Sequence, residues 1–246
     1  MTPNRIFRFV ALLPALLLAG GAVLAECPVD MSDSADGVYV SFADVFVRYD
    51  RLADGSVLEH EVSQADGLGF RVHSISGAFV LTTWSTRFGA IVTGTTETTD
   101  YAVGLEGLPT LFPGQTWEGS SLRQHDDGTT KVETVVVTMS PERSMIIGAC
   151  RYQSWPMQVA TTGNDGATFV DHLTYLPSLG FAIYHGGADA NEAFTPEMPT
   201  RISTEPPVVT EDGEPVMTGA GAGVLPGNPA PAEPPRAPQP PVDDDK

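Results

Sequence analysis

Two cysteines, Cys27 and Cys150, are the residues of this chain whose chemistry is easiest to define. Cys150 stands in the strand-like run IIGACRYQSW (146–155), and Cys27 lies near the start of the chain. In an oxidising compartment, the one intramolecular disulfide that they can form joins Cys27 to Cys150. A reactive thiol would need an electropositive neighbourhood or a C-x-x-C pair, for which Arg151 alone is weak support. We therefore expect a structural disulfide that fastens the N-terminal segment to a late strand.

Two histidines near the end of the predicted strands could bind a metal. If Leu176 pairs with Phe181 across a hairpin turn, His172 lies directly opposite His185, with Cβ atoms about 5 Å apart. Zinc or copper would need a third ligand from another strand. The candidates for that ligand are His60 and His73. The alternative is a histidine pair without a metal, and a shift of one residue in the register would separate the two rings.

Aromatic side chains in the predicted strands could line a pocket for a small apolar ligand, or they could fill the core. The pocket candidates are Trp84, Trp117, Trp155, Tyr175 and Tyr184. The sequence has no G-x-S-x-G turn and no EF-hand spacing, so it predicts no catalytic residue and no cofactor.

The first 25 residues have the pattern of a secretory signal peptide. Arg5 and Arg8 precede an apolar stretch from Phe9 to about Leu18, and small residues follow, so we expect cleavage after Ala25. The apolar run is too short for a membrane span. A lipoprotein signal is the alternative reading of Cys27, but such signals have a small residue where this chain has glutamate. The predicted location is the periplasm or the extracellular space.

The formal net charge of −18 limits the possible partners. Such a charge repels nucleic acids and anionic membrane surfaces, so we expect neither as a partner. It favours solubility and cationic partners. The chain contains few residues for acid–base or anion-binding chemistry, with five histidines and 13 lysines and arginines.

The strand pattern predicts a single all-β domain over residues 26–195. Runs of β-branched and aromatic residues alternate with turn signals such as Ala53-Asp54-Gly55 and Asp126-Asp127-Gly128. No window shows a sustained helical period, which indicates an antiparallel meander of about nine or ten strands. An open or partly closed barrel and a two-sheet sandwich share this pattern. Residues 88–115 are rich in Gly, Thr and Pro, and we expect a long loop or a crossover between two halves there.

Residues 196–246 have a different composition, because 13 of the 21 prolines fall in this stretch. Few large apolar side chains are present to offset the entropy of ordering the chain. The stretch is therefore predicted to be a disordered, acidic, Pro-rich tail, either a solvated segment or a peptide for a proline-binding partner.

The segment GACRYQSWPMQV…TFVDHLTYLPSLGFAIYHG (148–186) resembles a module of secreted bacterial β-rich proteins. In that module, a strand built around Gly-x-x-Tyr is followed by a hairpin of the form Tyr-x-Pro-x-Leu-Gly. The resemblance implies an uncharacterised envelope component with β-architecture. It implies no reaction and no catalytic residue.

Three hypotheses of function follow from these patterns. The first is an exported non-enzymatic domain that binds or supports another component of the bacterial envelope. The second is a carrier of a small apolar ligand in a barrel cavity, which predicts a continuous cavity lined by several of the aromatic candidates. The third is a metal-dependent hydrolase that uses His172 and His185.

Overall fold

The structure is a computed structural model that describes residues 27–63, 66–209 and 215–216. The expected signal peptide (1–25), with its cleavage site after Ala25, lies outside the described residues. Most of the predicted tail also lies outside them.

The described chain is built from strands, with short 3₁₀ turns at Met31–Asp33 and Leu105–Gly107. The strands are β1 (Val38–Ser41), β2 (Val45–Arg51), β3 (Val57–Ser63), β4 (Leu68–Ile75), β5 (Phe79–Arg87), β6 (Ala90–Ile91), β7 (Glu97–Tyr101), β8 (Thr116–His125), β9 (Thr130–Met139), β10 (Arg143–Ile147), β11 (Cys150–Gly163), β12 (Thr168–Leu176), β13 (Phe181–Asp189), β14 (Arg201–Ser203), β15 (Val208–Val209) and β16 (Pro215–Val216).

Strands β1 to β14 form one antiparallel sheet, in the order β13-β12-β11-β9-β8-β7-β5-β4-β3-β2-β1-β14. Strand β10 pairs with β11, β6 pairs with β5, and β15 and β16 form a separate ribbon. The all-β antiparallel prediction is confirmed. Neighbours in the sheet are mostly neighbours in sequence, because tight turns connect them. Gly55 and Gly128 adopt positive φ of 86° and 83°, which is the conformation that the predicted hairpin turns require.

The sheet differs from the sequence pattern at three places. Residues 38–51 form two strands, since the chain turns at 42–44 and β1 pairs with β2. Residues 88–115 are not a crossover between halves, because β7 pairs with both β5 and β8 and makes the sheet continuous. Strand β10 was not predicted, although it pairs with β11 over its whole length.

The sheet is rolled but not closed into a barrel. Its edge strands are β13 and β14, and the segment between them bridges the gap without forming a ladder. In that segment the Glu197 amide donates to the His185 carbonyl at 2.9 Å, and the Thr200 amide donates to the Ser41 carbonyl at 2.8 Å. Strand β14 then pairs with β1, so the fold extends beyond residue 195, where the sequence placed the start of the tail.

Two apolar clusters stabilise the roll. One joins β1, β2, β10, β13 and β14, and in it the Tyr49 ring stacks on Phe181 with centroids 4.0 Å apart. The other joins β5, β7, β9, β11 and β12 around Phe79. Burial of apolar area at about 25 cal/mol per Å² makes these clusters the main source of stability.

The predicted disulfide between Cys27 and Cys150 is confirmed, with a Cα–Cα distance of 5.5 Å and a sequence separation of 123. Tyr152 strengthens the same attachment, because its hydroxyl donates to the Pro28 carbonyl at 3.1 Å. The pair therefore fixes the first described residues onto the start of β11.

Candidate functional site

A cavity of about 420 Å³ lies inside the roll, between β2 to β5 on one side and β11 to β13 on the other. This volume falls within the roughly 300–1,000 Å³ that is usual for small-molecule sites. Buried residues such as Tyr49 and Ala78 form its inner end. Phe70 and Tyr184, which are 38% and 41% exposed, lie towards solvent.

Carboxylates from opposite walls face this cavity. Glu59 and Glu61 are two positions apart on β3, so both side chains point to the concave face. Asp171 of β12 lines the opposite wall, and the exposed Glu197 lies at the bridge between the sheet edges. With Glu97 of β7, five acidic side chains surround this space.

Glu59 is the most deeply placed of these carboxylates, with 9% of its surface exposed. The Ser74 hydroxyl donates to its Oε1 at a long 3.5 Å, which compensates little of the lost hydration. Burial first, and then the charge of Glu61, raise the pKa of Glu59 to about 8. In the folded chain this carboxyl is therefore mostly protonated at neutral pH.

The neighbouring carboxyls have raised pKa values for the same reasons. Burial and the charge of Glu197 raise the pKa of Glu61. Burial also raises the pKa of Asp171, although a hydrogen bond from the Tyr184 hydroxyl opposes this shift. The cavity therefore disfavours negative charge that is not compensated.

Arg123 is the one cationic side chain that lines the cavity within the described part of the chain. Its Nε donates to Glu133 at 3.1 Å and its Nη1 to Glu97 at 3.4 Å. The guanidinium is thus already paired with two carboxylates. Glu59, Glu61 and Asp171 form no ion pair with any described residue.

Tyr49 contributes an unusual polar group to the inner end of the cavity. Its side chain is completely buried, and its hydroxyl has no acceptor among the described residues. Burial raises the pKa of this phenol, so it stays protonated. A buried hydroxyl without a partner costs about 1–3 kcal/mol, and a polar ligand or water can remove that cost.

Most of the other side chains that line the cavity are apolar. Phe42, Val45, Val47 and Val72 face the cavity from the β1–β4 side, and Leu173 faces it from β12. Such walls hold a hydrocarbon body, while the carboxylates hold a polar group. The arrangement therefore suits an amphipathic molecule.

The five aromatic candidates are separated by the fold. Tyr184 lines the cavity. Trp117 instead packs edge-to-face on Phe79, with centroids 5.0 Å apart. Trp155 and Tyr175 pack on each other at 5.4 Å. Trp84 lies opposite Arg71 on the convex face, because its neighbour Thr83 is the residue that points inward.

The predicted opposition of His172 and His185 was wrong. The expected register holds from Leu176–Phe181 to Leu173–Tyr184, and a β-bulge then begins. Two residues of β13, His185 and Gly186, lie against His172 of β12. The bulge rotates the two rings into different surroundings, and His172 stacks on Phe194 with centroids 4.1 Å apart.

Both ring nitrogens of the buried His185 are used by the fold. Nδ1 donates to the Glu197 carbonyl at 2.8 Å, so Nε2 accepts from the Thr174 hydroxyl at 2.9 Å. Burial lowers the pKa of this imidazole, which stays neutral. The described residues contain no group of three His, Cys, Asp or Glu side chains that could hold a metal. His60 and His73, the suggested third ligands, lie on β3 and β4.

The acidic wall was missed by reasoning from sequence, although the segment SVLEHEV (56–62) contained a signal for it. Val57, Glu59 and Glu61 share one face of the strand, and Val57 is completely buried. Carboxylates on the same face as a buried valine are unusual in a core strand, so they indicate either that the face was wrongly assigned or that it forms a binding site. The choice depends on which residues face β3 across the roll.

Comparisons of the chain with protein-family models, with curated proteins and with solved structures gave no match. Among the described residues, there is no helix with the length and apolar character needed to cross a membrane.

Proposed function

We propose that this protein is an exported, non-enzymatic binding domain of the bacterial envelope, which holds a small amphipathic molecule inside its rolled sheet. The observation that carries this proposal is the cavity of about 420 Å³, which is lined by both apolar side chains and carboxyl groups. It develops the carrier hypothesis drawn from the sequence and adds a polar group to the expected apolar ligand.

The cavity differs from an ordinary packing gap in its polar lining. Protein interiors are packed at crystal-like density, and dry gaps in them are lined by apolar side chains. Here the buried Glu59 and Tyr49 border the space instead. Burying such groups without partners is unfavourable, and a bound molecule would supply the missing partners.

Export is supported by the N-terminal signal pattern and by the disulfide between Cys27 and Cys150. Disulfides persist in oxidising compartments such as the periplasm. The resemblance of residues 148–186 to secreted bacterial β-rich proteins supports the same location. Another envelope protein could receive or deliver the carried molecule.

The test is a mass spectrum of the exported protein under native and then denaturing, non-reducing conditions. We expect a reproducible additional mass in the native spectrum, and a denatured mass that fits cleavage after Ala25. Val159→Phe, which fills the cavity from β11, should abolish the additional mass. The matched control Val136→Phe, on the convex face of β9, should retain it. No additional mass, and no binding of any small probe, would contradict the proposal.

A further inference from the structure

We propose that the ligand of this cavity is an organic cation, with an ammonium or guanidinium group on an apolar body, and that Glu59 and Glu61 bind its charge. This inference rests on the proposed function, because it defines the class of molecule that the cavity takes.

The first argument is that the carboxyl groups of Glu59 and Glu61 line the cavity without a cationic partner. The Arg123 guanidinium is committed to Glu97 and Glu133, at 3.4 and 3.1 Å. Glu59 and Glu61 form no ion pair among the described residues. A cationic group placed between them would stabilise the ionised form of both side chains through charge-assisted hydrogen bonds.

The second argument is independent of the carboxylates. The completely buried Tyr49 borders the inner end of the cavity, and its hydroxyl has no acceptor there. Tyr49 lies directly opposite Glu59 in the β2–β3 ladder, so the phenol and the carboxylate are close neighbours. A ligand N–H can donate to the phenol oxygen, which has no hydrogen-bond partner among the described residues.

The aromatic side chains fit the same class of ligand. Phe42, Phe70 and Tyr184 lie along the cavity, and aromatic faces attract cations within about 6 Å of the ring centroid. The formal net charge of −18 also raises the local concentration of cations around the whole molecule.

An organic cation fits better than a metal ion. A metal needs several ligands that converge on one point within about 2.6 Å, and the described residues offer no such group of three. The carboxylates are instead distributed along a space of about 420 Å³. A larger molecule with a diffuse charge can contact them at separate atoms.

Binding of a cation should release a proton from Glu59, whose pKa is raised to about 8 by burial. Affinity should therefore rise between about pH 6 and about pH 9. The other titratable groups that line the cavity are Glu61, Glu97, Asp171, Glu197, Arg123, Tyr49 and Tyr184. The raised pKa values of Glu61 and Asp171 act in the same direction, because loss of a proton from either carboxyl also favours a cation.

The experiment compares three probes that share one phenylbutyl body, namely phenylbutylamine, phenylbutanol and phenylbutyrate. Each is titrated into the mature full-length protein by calorimetry at about pH 9, above the pKa of Glu59. We expect the amine to bind about tenfold more tightly than the alcohol, and the carboxylate most weakly. Glu59→Gln should weaken the amine about tenfold and leave the alcohol unchanged.

Glu118→Gln is the matched control, because this exposed carboxyl lies on the convex face of β8. It should leave all three affinities unchanged. Should Glu59→Gln fail to fold, Glu61→Gln replaces it, since Glu61 is only half buried. A loss of amine affinity of about tenfold is expected there as well.

Equal affinities for amine and alcohol would overturn the cation and leave the cavity as a binding site for apolar molecules. Amine binding that Glu59→Gln and Glu61→Gln do not change would overturn the assigned carboxylates. Binding of none of the probes, together with a carried mass in the native spectrum, would overturn the cation alone. Binding of none, with no carried mass, would overturn the proposed function as well.

Discussion

The buried carboxyl of Glu59 makes the stability of this fold depend on pH in a direction opposite to that of a salt-bridged acid. Its pKa rises from an ordinary value of 4.5 to about 8 in the folded chain. Between these values the folded state binds a proton that the unfolded state lacks. The stabilising contribution is complete below about pH 4.5, falls as pH rises, and is lost above about pH 8.

The size of this effect on the unfolding free energy follows from the difference between the two pKa values of Glu59. One pKa unit corresponds to about 1.4 kcal/mol, so the rise from 4.5 to about 8 corresponds to about 5 kcal/mol. Burial lowers the pKa of His60 to about 4, so this histidine makes the fold more stable as pH rises, an effect opposite to that of Glu59. The effect of His60 is complete above about pH 6.5, so the effect of Glu59 is best measured above that pH. Between about pH 6.5 and about pH 9, Glu59 alone should remove about 2 kcal/mol of stability.

The assay is urea unfolding of the disulfide-bonded protein, followed by tryptophan fluorescence at several pH values in this window. Wild type should lose about 2 kcal/mol of unfolding free energy between about pH 6.5 and about pH 9. Glu59→Gln should remain nearly constant, with a small residual slope from Glu61 and Asp171, whose pKa values are also raised. The exposed control Glu118→Gln should follow wild type.

The decisive comparison is the difference in stability between wild type and variant as pH rises. Below about pH 4.5 the carboxyl is neutral in both the folded and the unfolded chain, as the amide is, so the two proteins should differ little there. The advantage of the variant should then grow with pH, by about 2 kcal/mol between about pH 6.5 and about pH 9. A Glu59→Gln variant with the full wild-type slope would show that this carboxyl is not the buried proton-binding group, and the reasoning would fail.

Three further substitutions test the contacts that hold the sheet around the cavity. Replacing Cys27 and Cys150 by alanine should lower the unfolding free energy by about 2–5 kcal/mol, and an unchanged urea midpoint would contradict the role of the disulfide. Thr174→Val leaves Nε2 of the buried His185 without a donor, so a loss of about 1–3 kcal/mol is expected by the same assay, and no loss would refute that hydrogen bond. Gly77→Ala should lower the midpoint of thermal unfolding, because Gly77 has a φ of 68° and an added Cβ would collide with the backbone and side chain of Ala182 in β13. An unchanged midpoint would show that the contact between Gly77 and β13 can widen at little cost.

Several features of the fold could be predicted because they depend on short stretches of chain. Gly55 and Gly128 mark turns that require positive φ, and the strands on either side alternate inward and outward residues. The disulfide followed from the presence of a single possible partner for Cys150. Strand β7 was less evident, because ETTDY has few apolar residues and is held by its two neighbours in the sheet.

The candidate site was decided by contacts that local patterns do not encode. The bulge at Asp171–Leu173 moved His172 and His185 out of opposition, although the register before it was as predicted. The alternation of side chains along β3 placed Glu59 on the same face as the buried Val57. It did not show which residues face Glu59 from the opposite side of the roll.

The sequence by itself determined an all-β antiparallel chain, its tight hairpins and the Cys27–Cys150 disulfide, since each depends on local conformation or on a single possible pairing. Only the tertiary structure decided that the sheet rolls without closing, and that the acidic wall of β3 faces Asp171 across a cavity. The physical reason is that a period of two residues fixes which side chains share a face. The curvature, the bulges and the bridge at Glu197 fix which faces meet and whether the space between them is filled.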